Sequence, residues 1–153
     1  MGFSHLAHDC HVGNNVTICN GALIAGHVTI EDYAFISGNV TVHQFCRIGK
    51  LAMIGGLARV SKDVPPYMLV KGDSQVWAIN SVGIKRLGLE LDVRGQIKQA
   101  FKILYRSGLN VKRATEQIQK QFNSPEIRHL IIFISRAQRG ICAYRKTGLW
   151  TKL

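Results

Sequence analysis

The chain has 153 residues, 46% of them apolar, 19% charged and only three prolines, a composition that admits one ordinary domain and excludes a disordered tail, a collagen repeat or a low-complexity linker. No apolar run approaches the roughly 18 residues of a membrane span, and Met1-Gly2-Phe3-Ser4-His5 offers neither a basic nor an apolar signal region, so a cytoplasmic protein is expected. The net charge of +11 is unevenly placed: residues 1–79 carry five Lys/Arg against five Asp/Glu, residues 80–153 carry fifteen against four, so the second half should meet something acidic.

From Leu6 onward an aliphatic residue recurs every six positions: Leu6, Val12, Ile18, Ile24, Ile30, Ile36, Val42, Ile48, Ile54 and Val60. Two positions before each from Val12 on stands a small or modest residue, from Cys10, Val16 and Ala22 to Ala52 and Ala58. A helix repeats at 3.6 and a simple strand at 2, so neither explains a period of six. The hexapeptide repeat of a left-handed parallel β-helix does, with the aliphatic turned into a prism interior and the small residue at each tight corner. Three hexapeptides make one triangular coil in this fold, so residues eighteen apart stack, and residues 1–62 form about three coils. Because the repeat begins almost at Met1 and solenoid ends need caps, further coils upstream are expected in the natural protein or its ancestor.

Lys62-Asp63-Val64-Pro65-Pro66-Tyr67 breaks the repeat, since proline donates nothing to a ladder, and residues 63–79 read as a connecting loop, with a strand possible over 68–79. Residues 80–140 read as a helical C-terminal domain. Asn80 caps a short segment ended by Gly88; Asp92 caps a helix with Ile97, Phe101 and Leu104 that stops at Gly108; Asn110 opens another with Val111, Ala114 and Ile118; and Ser124-Pro125 opens a last one, ending near Gly140. Residues 141–153 read as a basic tail. The helices form an α-helical cap on the β-helix. The four cysteines lack C-x-x-C spacing and read as small core fillers rather than disulfide partners.

Five of the six histidines lie in the repeat: His5, His8, His11, His27 and His43. Stacking at eighteen puts His8, Gly26 and Gln44 in one column and Asp9, His27 and Phe45 in the next. A histidine beside a glycine whose backbone N–H faces a ligand is an acyl-transfer arrangement, with the imidazole as general base and the N–H at a developing oxyanion. A zinc column is not made, because Thr41, Gln44 and Arg47 stand thirty-six residues after His5, His8 and His11; no metal and no cofactor are expected. Lys and Arg are scattered over the helices without interleaved aromatics, which argues against nucleic acid.

The blocks Ser4-His5-Leu6-Ala7-His8-Asp9-Cys10, Ala25-Gly26-His27-Val28, Val42-His43-Gln44-Phe45-Cys46, Asp63-Val64-Pro65-Pro66-Tyr67 and Leu104-Tyr105-Arg106-Ser107-Gly108, in order and near-complete in spacing, resemble the UDP-N-acetylglucosamine O-acyltransferase family of lipid A biosynthesis. The resemblance implies transfer of a 3-hydroxyacyl chain from acyl carrier protein to the 3-hydroxyl of UDP-N-acetylglucosamine by a homotrimer. It implies His8 as general base, Asp9 as its orienting carboxylate and the Gly26 N–H on the oxyanion. It places His5, His27, His43 and Gln44 along the substrate cleft, Gly56 at the position that limits acyl length, and Asn80 and Arg86 on the sugar nucleotide, with the basic helices receiving the carrier protein. Val82 and Leu87 depart from the family's usual carboxylate and second arginine, and the family's upstream coils have no counterpart, so the chain resembles its C-terminal part. A truncated, inactive trimeric fragment that only assembles or binds carrier protein is the alternative this raises.

Overall fold

The computed structural model describes residues 1–145. Ten two-residue strands follow the hexapeptides: β1 (His5–Leu6), β2 (His11–Val12), β3 (Thr17–Ile18), β4 (Leu23–Ile24), β5 (Thr29–Ile30), β6 (Phe35–Ile36), β7 (Thr41–Val42), β8 (Arg47–Ile48), β9 (Met53–Ile54) and β10 (Arg59–Val60). Every pairing among them is parallel and eighteen residues apart, as in His5 with Leu23, His11 with Thr29 and Thr17 with Phe35. They build a left-handed β-helix with three faces: β1-β4-β7-β10, β2-β5-β8, and β3-β6-β9. A first corner, holding residues 8, 26 and 44, joins the first face to the second. The second corner holds 14, 32 and 50, and the third 20, 38 and 56.

The interior is the aliphatic ladder. Ile24, Ile30, Ile36, Ile48 and Ile54 are at most 1% exposed, and Ala22, Val28, Ala34, Ala52 and Ala58 close the corners against them. In the lowest coil the ladder is open, with Leu6 45% and Val12 42% exposed. Each turn places one residue in left-handed backbone: Asp9, Asn15, His27, Tyr33, Asn39, Phe45, Leu51 and Leu57 have φ between 55° and 65°, with Gly21 at 70°. Such a conformation costs a non-glycine residue about 1–2 kcal/mol. Because it recurs every six residues whatever the side chain, it belongs to the architecture, and its presence at Asp9 and His27 is not itself a mark of function.

Within residues 63–79, expected as a loop or, over 68–79, a strand, lies a hairpin, β11 (Met68–Lys71) and β12 (Gln75–Ile79), which extends the third face from β9. The cause is burial on alternate residues, with Met68, Val70 and Val76 at 0% exposure. Helices α1 (Ser81–Arg86), α2 (Leu91–Arg106), α3 (Val111–Gln121) and α4 (Pro125–Ser135) follow. Asn80, Asn110 and Ser124 cap α1, α3 and α4 as the sequence suggests, each accepting from a backbone N–H three residues on. Glu90, not Asp92, precedes α2, and Asp92 sits in its first turn, where a carboxylate favours the helix dipole. Helix α4 ends at Ser135 rather than near Gly140, and the freed segment turns back to the β-helix.

Residues 141–145 are not a loose tail. Asp63 bridges to Ile141, Cys142 is buried, and β13 (Ala143–Tyr144) pairs with β12. Tyr105 Oη fastens this return by donating to Cys142 O at 2.8 Å. The remaining residues of the expected basic tail, 146–153, lie outside those described. A half-buried pair joins the two halves: Asp63, 2% exposed, accepts from Arg47 Nε and Nη2 at 2.9 Å, and Arg47 Nη2 also donates to Phe133 O of α4 at 2.7 Å. His129 of α4 reaches Glu31 at 2.7 Å at the second corner. Among the described residues no helix is long and apolar enough to cross a membrane.

Candidate active site

The hexapeptide geometry brings His8, Asp9, Gly26 and His27 together at the first corner. His8 Nδ1 lies 2.9 Å from Asp9 Oδ2, and His27 Nε2 lies 3.8 Å from the same oxygen. An ionised carboxylate only accepts, so Nδ1 of His8 carries a proton, and in the neutral ring Nε2 keeps a lone pair. The His8 hydrogen bond, then the nearby His27 charge, hold the Asp9 carboxyl below its ordinary range. The His8 and His27 rings meet edge to face at 5.0 Å, and His27 stacks on Phe45 at 4.8 Å with the planes 10° apart. With side chains of His8 and Asp9 73% and 64% exposed, the imidazole stands open to a substrate.

Gly26 serves this arrangement first through the side chain it lacks. It is buried, and a Cβ there would stand 2.9 Å from both Cε1 and Nε2 of His8, inside van der Waals contact. The missing side chain is the floor on which the His8 ring lies. Its neighbours Ala25 and His27 donate their N–H groups to Val42 O and His8 O, while the Gly26 N–H donates to nothing among the described residues. It is therefore unspent among the described residues.

Of the other expected residues, Gln44 stands in the same column, and His43 beside it points Nδ1 at Gln44 O, 3.0 Å away. His5 is exposed on the first face of the same coil. The remaining three do not join them within one chain. Gly56 is exposed at the third corner, where an added Cβ would come no closer than 3.6 Å, to Gly38 O. Asn80 is 7% exposed and committed to structure: its Oδ1 accepts from Gly83 N at 3.0 Å and its Nδ2 donates to Leu51 O, at the second corner, at 2.8 Å. Arg86 is exposed at the end of α1.

His8, Asp9 and His27 present ligand atoms within 4.8 Å of one another, a donor set of two imidazoles and a carboxylate that suits zinc. An ion there has to displace the His8–Asp9 hydrogen bond, which already uses the carboxylate oxygen nearest both rings. Sequence reasoning did not find Arg136 and Arg139, which line a cleft of about 310 Å³ next to His27 and Phe45. They come from the segment after α4, more than seventy residues beyond the end of the repeat, and no period points to them.

The family model for UDP N-acetylglucosamine O-acyltransferase, domain 2, matches residues 63–142, just over half of the chain. A protein of Anaeromyxobacter sp. (strain K) named acyl-[acyl-carrier-protein]--UDP-N-acetylglucosamine O-acyltransferase is 43% identical over 143 residues, 92% of this chain and 56% of its own length. A namesake from Gloeothece citriformis is 43% identical over 138 residues, covering 90% of this chain and 50% of the relative. The crystal structure of the Francisella novicida UDP-N-acetylglucosamine acyltransferase superposes with a TM-score of 0.88 at 39% identity, covering 96% of this chain and 54% of that one. The Arabidopsis enzyme superposes at 0.86 and 34% identity, covering 93% and 54%. The chain thus spans about half the length of the curated relatives it matches. With the matched segment running from the Asp63 bridge through the helices to Cys142, and the relatives extending across the repeat as well, the chain belongs to the UDP N-acetylglucosamine O-acyltransferase family.

Proposed function

We propose that the chain holds the catalytic corner of an enzyme that moves a 3-hydroxyacyl group from acyl carrier protein to the 3-hydroxyl of UDP-N-acetylglucosamine. The observation that carries this reading is the orientation of His8: Asp9 fixes Nδ1 as the protonated nitrogen and leaves Nε2 basic, directly over Gly26. In the reaction Nε2 takes the proton of the sugar hydroxyl as its oxygen bonds to the thioester carbon. The carbonyl oxygen becomes an oxyanion near the unspent Gly26 N–H, worth roughly 3 kcal/mol of barrier if the hydrogen bond forms. Collapse breaks the C–S bond, and the imidazolium returns its proton to the departing thiolate. His27, His43, Gln44 and His5 line the sugar's approach, Gly56 leaves room for a long acyl chain, and the basic second half receives the acidic carrier protein.

Asn80 and Gly56 lie at other corners than His8, and Arg86 lies at the end of α1, so a homotrimer in which one subunit's corner faces another's cap is part of the proposal. Arg86, exposed at the end of α1, is the cation offered to the nucleotide diphosphate; Asn80 contributes by holding α1 in place.

A second reading rests on one observation: the chain spans about half the length of its curated relatives. In that reading it is an inactive trimeric fragment that assembles or binds carrier protein. Transfer from 3-hydroxyacyl carrier protein to UDP-N-acetylglucosamine is measured for the 153-residue chain beside His8→Ala. Turnover lost by at least a hundredfold in the variant supports the first reading. Silence of the wild type, with activity restored in a version extended upstream, supports the second. An active wild type that tolerates His8→Ala overturns the mechanism.

A further inference from the structure

The cleft beside His27 carries charge that the fold does not use. Three guanidinium groups, Arg47, Arg136 and Arg139, face it together with His27, Phe45 and Asp63. Asp63 is the one carboxylate among its lining residues, and it is spent: Arg47 takes it through Nε and Nη2 at 2.9 Å, and the Arg47 backbone N–H takes its other oxygen at the same distance. Arg47 is further committed to Phe133 O and lies 4.1 Å over the Phe133 ring. Arg139 donates Nε to Ser61 O at 3.1 Å, and neither Arg139 nor Arg136 makes an ion pair among the described residues. Both are exposed. Arg136 follows the last turn of α4, where a cation also complements the helix dipole; that role needs one charge, not two converging on a cleft.

We propose that Arg136 and Arg139 form a subsite for a phosphate group of a substrate, next to the His8–Asp9–His27 corner. This rests on the acyl-transfer reading for the identity of the ligand. Guanidinium forks match phosphate oxygens two at a time and stay charged at every working pH. Phe45, stacked on His27 at one wall, supplies an apolar surface for the linker next to the phosphate. The cleft, about 310 Å³, has room for a phosphate and its flanking atoms. Both proposed substrates bring such a group: the carrier protein through the phosphodiester of its prosthetic arm, the acceptor through its diphosphate. The chemistry is shared, and the experiment separates the sources.

Binding to the full 153-residue chain is measured by calorimetry and by shifts of the arginine Nε–H resonances, with 4′-phosphopantetheine against pantetheine and UDP against uridine. One phosphorylated probe is expected to bind at least tenfold more tightly than its unphosphorylated partner. That advantage should vanish in Arg136→Gln/Arg139→Gln, persist in Arg139→Lys, and fall with salt. Phosphopantetheine showing this pattern assigns the subsite to the carrier arm, UDP to the acceptor. No tenfold advantage for either probe, or an advantage that survives in a double variant with an unchanged melting temperature, overturns the proposal. Binding that depends on both arginines in a chain that shows no turnover leaves the subsite standing and removes the catalytic reading instead.

Discussion

Gly26→Ala isolates the contact on which the candidate site depends. The new Cβ would sit 2.9 Å from His8 Cε1 and Nε2 and 3.4 Å from Cδ2, so the ring has to move. It can do so cheaply in stability, because the His8 side chain is 73% exposed and gives up only an exposed hydrogen bond to Asp9 and an edge contact to His27. Gly26 is not among the residues with positive φ, so alanine also narrows the unfolded ensemble, a gain of about 0.4–1 kcal/mol. The two effects nearly cancel, and melting should shift by no more than a few degrees. Catalysis has no such compensation. In the proposed mechanism a general base swung off its line forfeits much of the roughly 10²–10⁴ it supplies, so turnover should fall nearly as far as in His8→Ala. In the His8→Ala background the new methyl meets no ring and Gly26→Ala should cost almost nothing further, a strong non-additivity for a pair in contact. Calorimetry, the His8 ring resonances and turnover of the four proteins test this together. Equal losses in both backgrounds, or His8 resonances unmoved by the alanine, would refute the idea that Gly26 is the floor of the imidazole.

Asp63→Ala strips the half-buried Arg47 of its counter-charge and leaves the Arg47 backbone N–H without its acceptor, and should destabilise the chain by about 1–3 kcal/mol, read by chemical denaturation. Asn80→Ala removes the α1 cap and the bond to Leu51 O; a stability loss of about 1–2 kcal/mol is expected, with KM for the sugar nucleotide changed far less than in Arg86→Ala. Burial pushes the Cys46 thiol up to about 11 and the Cys142 thiol up to about 12. Alkylation of the native chain at pH 8, followed by mass spectrometry, should therefore mark the half-buried Cys10 and Cys19 first, and all four only after unfolding. The Asp9 carboxyl titrates below its ordinary range in the folded state, so its contribution is present above that range and is lost as pH falls through the lowered value. Asp9→Asn should flatten only that acid limb of a melting-temperature profile, and a change confined to neutral pH would contradict it.

What the sequence made readable follows from where each contact's partner lies. Every coil contact joins residues eighteen apart, so the period of six exposes the ladder from Ile24 to Ile54 and, with it, the columns that set His8 over Gly26 and Asp9 beside His27. Capping is local chemistry, and Asn80, Asn110 and Ser124 could be read from their own neighbourhoods. The strand β13 could not, because its partner β12 precedes it by some seventy residues with no repeat to announce the pairing. The same holds for Arg47 and Asp63, whose sixteen-residue separation falls outside the stacking interval, and for Arg136 and Arg139 beside His27. Gly26 shows the subtler limit. The column places it against His8 correctly, yet stacking says nothing about whether the ring lies over the glycine or away from it, and that tilt decides whether the residue's first role is to offer an N–H or to make room. Asn80 was readable as a cap and as a ligand contact at once, and only its burial under Leu51 O and Gly83 N chooses between them. Positions whose chemistry is spent on the fold and positions whose chemistry is left over look alike in a sequence. The leftover ones, the His8 Nε2 and the Gly26 N–H at the first corner and, in the cleft beside His27, two guanidiniums with no carboxylate partner among the described residues, lie next to one another, and that proximity is the physical argument for the proposed reaction.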